Sequence, residues 1–158
     1  MGEGRGSSWL VAAAAASFAV AALHVAITFA GPDAYEYFGA PGNLVSAARR
    51  GSAVPALVTL IIALVFAGFG LYGLSGAGRA PRLPALRVLL VGISGVYVLR
   101  GLVVVPEFIL YTFERSLPVR MMVFSLVALT IGLIHAVGTA RSWGAMDPSL
   151  DPDTLVTD

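Results

Sequence analysis

Four side chains capable of binding or proton chemistry lie close together in one apolar stretch of the sequence. They are Tyr97, Arg100, Glu107 and Tyr111. On a helix, at about 100° per residue, these positions fall within an arc of roughly 80° and therefore share one face. An arginine and a glutamate can pair, bind an ion or relay a proton, and phenol hydroxyls can hydrogen-bond to either. The stripe is the first candidate for a ligand-binding site.

Arg100 is the most costly residue of this stripe. An arginine at the centre of a membrane helix costs about 2.5 to 3.5 kcal/mol on insertion scales, so a lipid-facing position is disfavoured. We expect Arg100 to face the interior of a helix bundle, paired with Glu107 and with Tyr97 or His24 near by. Glu107 lies about 10 Å further along the helix axis, within reach of an extended arginine. The alternative is that this pair only fixes helix packing.

Two histidines extend the set of candidate groups. His24 should lie at the depth of Arg100 and Glu107, where the three would form a proton-linked or anion-binding cluster. A hydrogen bond from His24 to a neighbouring helix is the alternative interpretation. His135 should differ from His24 by ~15 Å in depth, which argues against a haem held by both histidines. We predict no catalytic residue, no metal ligand and no cofactor.

Four long apolar runs must position these groups. They cover residues 9–30, 54–74, 86–110 and 119–140, and each approaches or exceeds the roughly 20 residues that a helix needs to cross the hydrocarbon core. Only 12% of the residues are charged and 58% are hydrophobic, whereas soluble domains have about 25% charged residues. The sequence predicts an all-α membrane protein, an antiparallel four-transmembrane-helix bundle over residues 1–143, with an acidic flexible tail over 144–158.

The ends of the runs carry interpretable signals. The first run partly fits a signal peptide, but it continues to Ala30, so we interpret it as an uncleaved span. In the first loop, Tyr35, Tyr37 and Phe38 suit the headgroup level, and Asn43 can N-cap a short interfacial helix. For the glycine-dense end of the second run, we predict close helix packing rather than a hinge or a ligand cradle. These glycines are Gly68, Gly70, Gly73, Gly76 and Gly78.

The arginine distribution favours one orientation in the membrane. Five arginines belong to the N-terminus, the second loop and the tail, and four belong to the other two loops. The first group is Arg5, Arg79, Arg82, Arg87 and Arg141, and the second is Arg49, Arg50, Arg115 and Arg120. Because basic residues near span ends favour the cytoplasmic side, we predict that both termini are cytoplasmic.

Composition excludes several classes of function. A net charge of +1 excludes the broad basic surface that binds nucleic acid. The chain has no cysteine, so disulfide and thiol redox chemistry are excluded. Evidence for an enzyme is weak.

We expect a binding or accessory module with a polar pocket around Arg100, in contact with the lipid bilayer and with a partner membrane protein or a second copy. A subunit of a small transporter or proton-linked permease is the alternative.

Four segments resemble a group of small bacterial four-helix membrane proteins of unassigned function, loosely similar in size and plan to the DoxX-like proteins. The resemblance spans most of the chain and implies a helical bundle in a bacterial inner membrane. It implies no catalytic residues. The segments are Gly31-Pro32-Asp33-Ala34-Tyr35-Glu36-Tyr37-Phe38-Gly39-Ala40-Pro41, Tyr72-Gly73-Leu74-Ser75-Gly76-Ala77-Gly78, Tyr97-Val98-Leu99-Arg100-Gly101-Leu102 and Gly132-Leu133-Ile134-His135-Ala136-Val137-Gly138-Thr139.

Overall fold

The computed structural model of the chain describes residues 3–114 and 117–147. This part contains helices and no strand. The elements are α1 (Glu3–Ala30), α2 (Pro32–Tyr37), α3 (Gly42–Arg49), α4 (Val54–Gly76), α5 (Leu86–Leu102), α6 (Val104–Phe113), α7 (Val119–Arg141) and a 3₁₀ helix (Gly144–Met146).

Four of these helical segments are long and apolar enough to cross a membrane. They are Ser7–Ala30, Val54–Gly76, Leu86–Phe113 and Val119–Arg141. The third segment comprises α5 and α6. The predicted all-helical class with four membrane-length helices is therefore confirmed. The exterior agrees with this, because large apolar side chains such as Phe29, Leu64 and Val88 are exposed on it.

The third span is interrupted at Val103, three residues before Pro106. Pro106 has no backbone N–H, and its ring clashes with the carbonyl four residues earlier, which belongs to Leu102. The helix α5 ends at Leu102, and α6 begins at Val104. Regular bonding resumes when the Glu107 N–H donates to the Val103 carbonyl oxygen at 3.1 Å. Val103, the residue between the two helices, keeps right-handed helical backbone angles, so α6 follows α5 directly.

The first loop differs from its prediction in detail. It contains two short helices, and the aromatic cluster belongs to α2, which begins at Pro32. The predicted N-cap at Asn43 is wrong, because α3 begins at Gly42 with Pro41 as its N-cap and without a side-chain capping bond. The short extended turn before Gly42 lets the proline, with its fixed φ, take the cap position. Gly51 has a φ of +77°, as expected for the residue that ends a helix.

Close contacts between backbones hold the bundle together. The helix α1 packs against both α4 and α7, α5 packs against α7, and α4 touches α5. A Cβ atom added at Gly101 would lie 2.5 Å from the Leu129 backbone, and one at Gly73 would lie 3.0 Å from the Ala14 Cβ. Small residues therefore permit these approaches, as is common between membrane helices.

The predicted packing role of the glycines in α4 is correct for three positions. A Cβ atom added at Gly70 or Gly76 would clash with a neighbouring helix, and one at Gly73 would lie 3.0 Å from the Ala14 Cβ. At Gly68 and Gly78, no described residue lies within 4 Å of an added Cβ atom. The end of the chain also departs from expectation. A flexible tail is predicted from residue 144, but Met146 is part of the buried core. The rest of the predicted tail, from residue 148 onwards, lies outside the described residues.

Candidate functional site

Three helices contribute one polar side chain each to a buried hydrogen-bonded network. The Tyr97 hydroxyl of α5 donates to the Ser17 Oγ of α1 at 3.1 Å. The same Oγ lies 3.1 Å from the Nε2 of His135 on α7. Ser17 and His135 are fully buried, and Tyr97 is only 3% exposed. We call Ser17, Tyr97 and His135 the buried triad.

Aromatic packing and a glycine determine the geometry of the buried triad. The Tyr97 and His135 rings stack with centroids 5.7 Å apart and an interplanar angle of 15°. Phe66 and Phe69 of α4 contact the Tyr97 ring, with centroids 5.6 and 5.8 Å away. Gly132 allows the approach of α5, because a Cβ atom there would lie 3.0 Å from the Tyr97 Cβ. The triad thus lies where all four spans meet.

In the part of the chain that the structure describes, two buried polar atoms, one in the triad and one beside it, have no hydrogen-bond partner. The Nδ1 of His135 and the Oγ1 of Thr139, one turn later on α7, are buried without a hydrogen bond among the described residues. An unsatisfied buried polar group costs about 1 to 3 kcal/mol. Because Nδ1 is unpaired in either ring tautomer, the triad alone does not satisfy this histidine. His135 Nδ1 and Thr139 Oγ1 are therefore candidates for hydrogen bonds to a further polar group.

Arg100 lies in a different environment. Its Nη1 donates to the Ser125 Oγ at 2.7 Å. Ser125 is fully buried, but Arg100 as a whole is exposed on the surface of the bundle. The prediction that Arg100 faces the bundle interior is therefore wrong. The glycine contact between α5 and α7 explains this, since Gly101 occupies the inward position next to it.

Glu107 does not pair with Arg100. The ion pairs among the described residues do not include these two, so the predicted pair is not formed. Glu107 is 9% exposed, and its Oε2 is buried without a hydrogen-bond partner among the described residues. It lies in the first turn of α6, where the helix dipole favours a carboxylate. Glu107 is thus buried in α6, whereas Arg100 is exposed on α5.

The remaining two predicted site residues lie apart from Arg100. The His24 Nδ1 lies 2.8 Å from the Val20 carbonyl oxygen of its own helix, and its ring contacts Phe66 with a centroid distance of 5.1 Å. Phe66 therefore stands between His24 and Tyr97. Tyr111 is exposed on α6. The five predicted residues thus do not form one cluster.

The partners that sequence reasoning missed are the serines and the second histidine. Ser17 and His135 lie on the first and fourth spans, and a stripe pattern on one helix does not reveal which neighbour faces it. Ser125, the partner of Arg100, also lies on the fourth span, which the pattern of the third span does not reveal. Within the described ranges, no group of three or more His, Asp or Glu side chains is arranged to hold a metal ion.

The two polar centres suit different kinds of chemistry. The buried triad is neutral in composition and can exchange hydrogen bonds within the protein. The guanidinium of Arg100 has five N–H donors and lies at the surface, where it can bind an anionic group from outside. No known protein family, characterised protein or solved structure matches the chain.

Proposed function

We propose that the chain is an accessory membrane protein that binds a partner within the membrane through the face of α5 that carries Arg100. The observation that carries this proposal is the exposed position of Arg100 in the middle of the third candidate span. Its hydrogen bond to Ser125 uses one of five N–H donors. The others need acceptors that hydrocarbon does not supply.

The depth of the guanidinium supports a protein partner. Ser125 lies six residues after the first residue of α7, which corresponds to about 9 Å along a helix. An arginine exposed to lipid at such a depth is costly. A carboxylate from a partner helix would accept two parallel bonds from the guanidinium, the strongest arrangement for this side chain.

A second copy of this chain is a weaker fit to Arg100 than a different protein. Glu107 is the one acidic residue in the four span sequences. It is almost fully buried, so another copy would not present it without rearrangement. The proposed partner is therefore a membrane protein with its own acidic side chain at a matching depth.

The arrangement of the spans is also part of the proposal. We infer an antiparallel bundle, because paired contacts run in opposite directions along neighbouring helices. On α1 and α4, Gly73 meets Ala14 and Gly70 meets Phe18. On α5 and α7, Val98 meets Gly132 and Gly101 meets Leu129. Increasing residue numbers on one helix thus match decreasing numbers on the other.

For α2 and α3 we infer a position at the membrane interface beside the start of α7. The Phe38 and Phe124 rings stack with centroids 5.4 Å apart, and the Arg120 Nε donates to the Tyr37 carbonyl oxygen at 3.0 Å. Arg49 forms exposed ion pairs with Asp33 and Glu36 on the other side. Apolar contacts on one face and charges on the other support an interfacial segment.

The resemblance and the arginine pattern favour a bacterial inner membrane and cytoplasmic termini.

Photo-crosslinking from the helix surface tests the partner proposal. A crosslinking amino acid replaces Leu99, which is 70% exposed beside Arg100, or Leu64, which is 72% exposed on α4. We expect a discrete protein adduct from position 99 in native membranes, its loss with Arg100→Gln, and no such adduct from position 64. Mass spectrometry of the adduct should identify a membrane protein with an acidic residue inside a span.

The control for this experiment is Arg50→Gln, which removes an exposed arginine at the end of α3. It should leave the adduct from position 99 unchanged. Equal labelling from positions 64 and 99, or an adduct that survives Arg100→Gln, would overturn the proposal. An adduct whose mass is twice that of the chain would assign the face to self-association instead.

The transporter alternative rests on a separate observation. His135, Thr139 and Glu107 each carry a buried polar atom without a partner among the described residues, and unpaired polar groups in membrane spans are often part of ion pathways. Proton flux into liposomes that contain the purified chain decides between the two. Our proposal expects flux equal to that of empty liposomes. Flux that Glu107→Gln abolishes would favour the permease.

A further inference from the structure

A third polar centre, besides the buried triad and Arg100, lies at the end of the bundle remote from Arg100. A cavity of about 900 Å³ opens where α1 and α5 begin and where α4 and α7 end. We call it the arginine cavity, because its polar lining combines two arginines with three serines. These residues are Arg82, Arg141, Ser7, Ser75 and Ser142. Its volume is within the ~300 to 1,000 Å³ of typical ligand sites.

The lining of the arginine cavity is positively charged. Among the described residues, the lining includes Arg82 and Arg141 and no aspartate or glutamate. Arg82 is anchored by the carbonyl oxygens of Met146 and Asp147, which orient the guanidinium without neutralising it. Arg141 lies over the Trp9 ring at 5.8 Å, and a ring contact likewise leaves the positive charge in place. The carboxylate of Asp147 pairs with a different arginine, Arg87, at 3.1 Å.

Aromatic residues place this cavity at the level of lipid headgroups. Trp9 and Trp143 are exposed and lie beside the cavity, and each is covered by an arginine. The Tyr72 hydroxyl donates to the Pro84 carbonyl oxygen of the second loop. Tryptophan and tyrosine concentrate at the membrane interface, where the ring is in the apolar region and the polar atom is hydrated. The charged headgroup of a membrane lipid therefore lies at the same depth as the cavity.

An adjoining groove provides space for the rest of a lipid. It measures about 550 Å³ and shares Arg82, Leu86 and Met146 with the arginine cavity. Its other lining residues include Val88, which is exposed on the outer surface of α5. The groove thus leads from the arginines to the apolar side of the bundle, as the path of an acyl chain requires.

We propose that the arginine cavity binds the phosphate group of an anionic phospholipid. The guanidinium groups of Arg82 and Arg141 bind its oxygens, with the Ser142 hydroxyl as an additional donor. Arginine suits this role because its planar fork matches a phosphate with two parallel bonds. Basic pockets between membrane helices bind lipid headgroups by this chemistry. The site is independent of the partner-binding face, which lies near the opposite end of α5.

Native mass spectrometry of the full chain in detergent tests the proposal with phosphatidylglycerol as the probe. We expect discrete lipid adducts, and a dissociation constant about twentyfold higher for the Arg82→Gln/Arg141→Gln double variant. A matched double variant, Arg50→Gln/Arg120→Gln, removes two charges at the opposite end and should change it less than about twofold. Equal binding by all three proteins would overturn the proposal.

Two further measurements keep the result interpretable. Arg141→Gln alone retains the bonds that Arg82 makes to the 146 and 147 carbonyl oxygens, so it tests the site if the double variant fails to fold. It should raise the dissociation constant about fivefold. Titration with inorganic phosphate distinguishes a dissolved ligand from a lipid. Arginine-dependent binding of phosphate without any binding of phosphatidylglycerol would overturn the assignment to a lipid.

Discussion

Tyr97 and Arg100 lie three residues apart on α5 but differ in burial. Tyr97 is buried and its hydroxyl is bonded to Ser17, whereas Arg100 is exposed and reaches back to Ser125. The difference lies in what each side chain requires. A phenol needs one acceptor, which a single serine supplies. A guanidinium has five donors and a charge, and among the residues that the structure describes one side-chain acceptor, the Ser125 hydroxyl, is bonded to it.

The comparison shows how a small bundle without abundant polar residues handles polar side chains. Tyr97 lies at the centre, where the Ser17 hydroxyl accepts its hydrogen bond and also contacts the Nε2 of His135. Arg100 is left at the surface, where an outside ligand can complete the coordination of its guanidinium. A buried neutral network should therefore contribute to stability, and an exposed charge should contribute to binding. Both the buried triad and Arg100 depend on the contact between α5 and α7, so a substitution at this contact should affect both.

The largest effect is expected at Gly101, where α5 and α7 are closest. A Cβ atom there would lie 2.5 Å from three atoms of Leu129, two of them backbone atoms that cannot rotate away. We expect Gly101→Ala to lower the free energy of unfolding in detergent by about 3 kcal/mol. It should also displace both Tyr97 and Arg100 from their partners. Thermal melting, followed by tryptophan fluorescence, measures the loss.

Gly95 provides the matched control on the same helix. Nothing lies within 4 Å of a Cβ atom added there, so Gly95→Ala should be neutral or stabilising by up to about 1 kcal/mol through helix propensity. If both alanine variants melt at the same temperature, close packing at Gly101 does not hold the two helices together.

The second effect is expected at Ser17, the central member of the buried triad. Ser17→Ala removes the partner of two buried atoms, the Tyr97 hydroxyl and the His135 Nε2. We expect a loss of about 2 kcal/mol, since bonds between membrane helices contribute about 0.6 kcal/mol on average and unsatisfied buried groups add to the cost. Tyr97→Phe should cost less, because Ser17 and His135 can still bond to each other.

Ser94→Ala separates this effect from the loss of any serine. Ser94 is also buried, but its hydroxyl bonds only to the Leu90 carbonyl oxygen of its own helix at 2.7 Å. Its removal should cost less than about 0.5 kcal/mol. The Ser17→Ala/Tyr97→Phe double variant should be less destabilised than the sum of the single variants, because the two side chains share a bond. Additive losses would contradict the network.

Much of the fold is predictable from the sequence because it depends on composition along the chain. Long apolar runs identify the four membrane-length helices. Pro106, which lacks a backbone N–H, accounts for the break between α5 and α6. The cap of α3 is harder, since Pro41 and Asn43 compete for one position. The choice depends on the turn geometry rather than on the preferences of either residue.

The candidate site is less predictable, because it depends on which helix faces which. The sequence places Tyr97 and Arg100 on one stripe, but it does not reveal that Gly101 and Gly132 bring α7 against that side. This contact turns Tyr97 towards Ser17 and His135 and leaves Arg100 at the edge. Glu107 lies buried in α6, after the break between α5 and α6, and does not pair with Arg100. The consequence of that break for the expected ion pair requires the three-dimensional arrangement.

The smallest effect is expected at Arg100 itself. Arg100→Leu in detergent should change the free energy of unfolding by less than about 1 kcal/mol, because an exposed side chain is lost and Ser125 can bond to its own helix. Combined with Glu107→Gln, the two changes should add within about 0.5 kcal/mol, since the residues do not pair. A coupling above about 1 kcal/mol would instead show that Arg100 and Glu107 interact in solution. A stable Arg100→Leu protein that loses its crosslinked partner would complete the contrast with Ser17, whose loss should weaken the fold first.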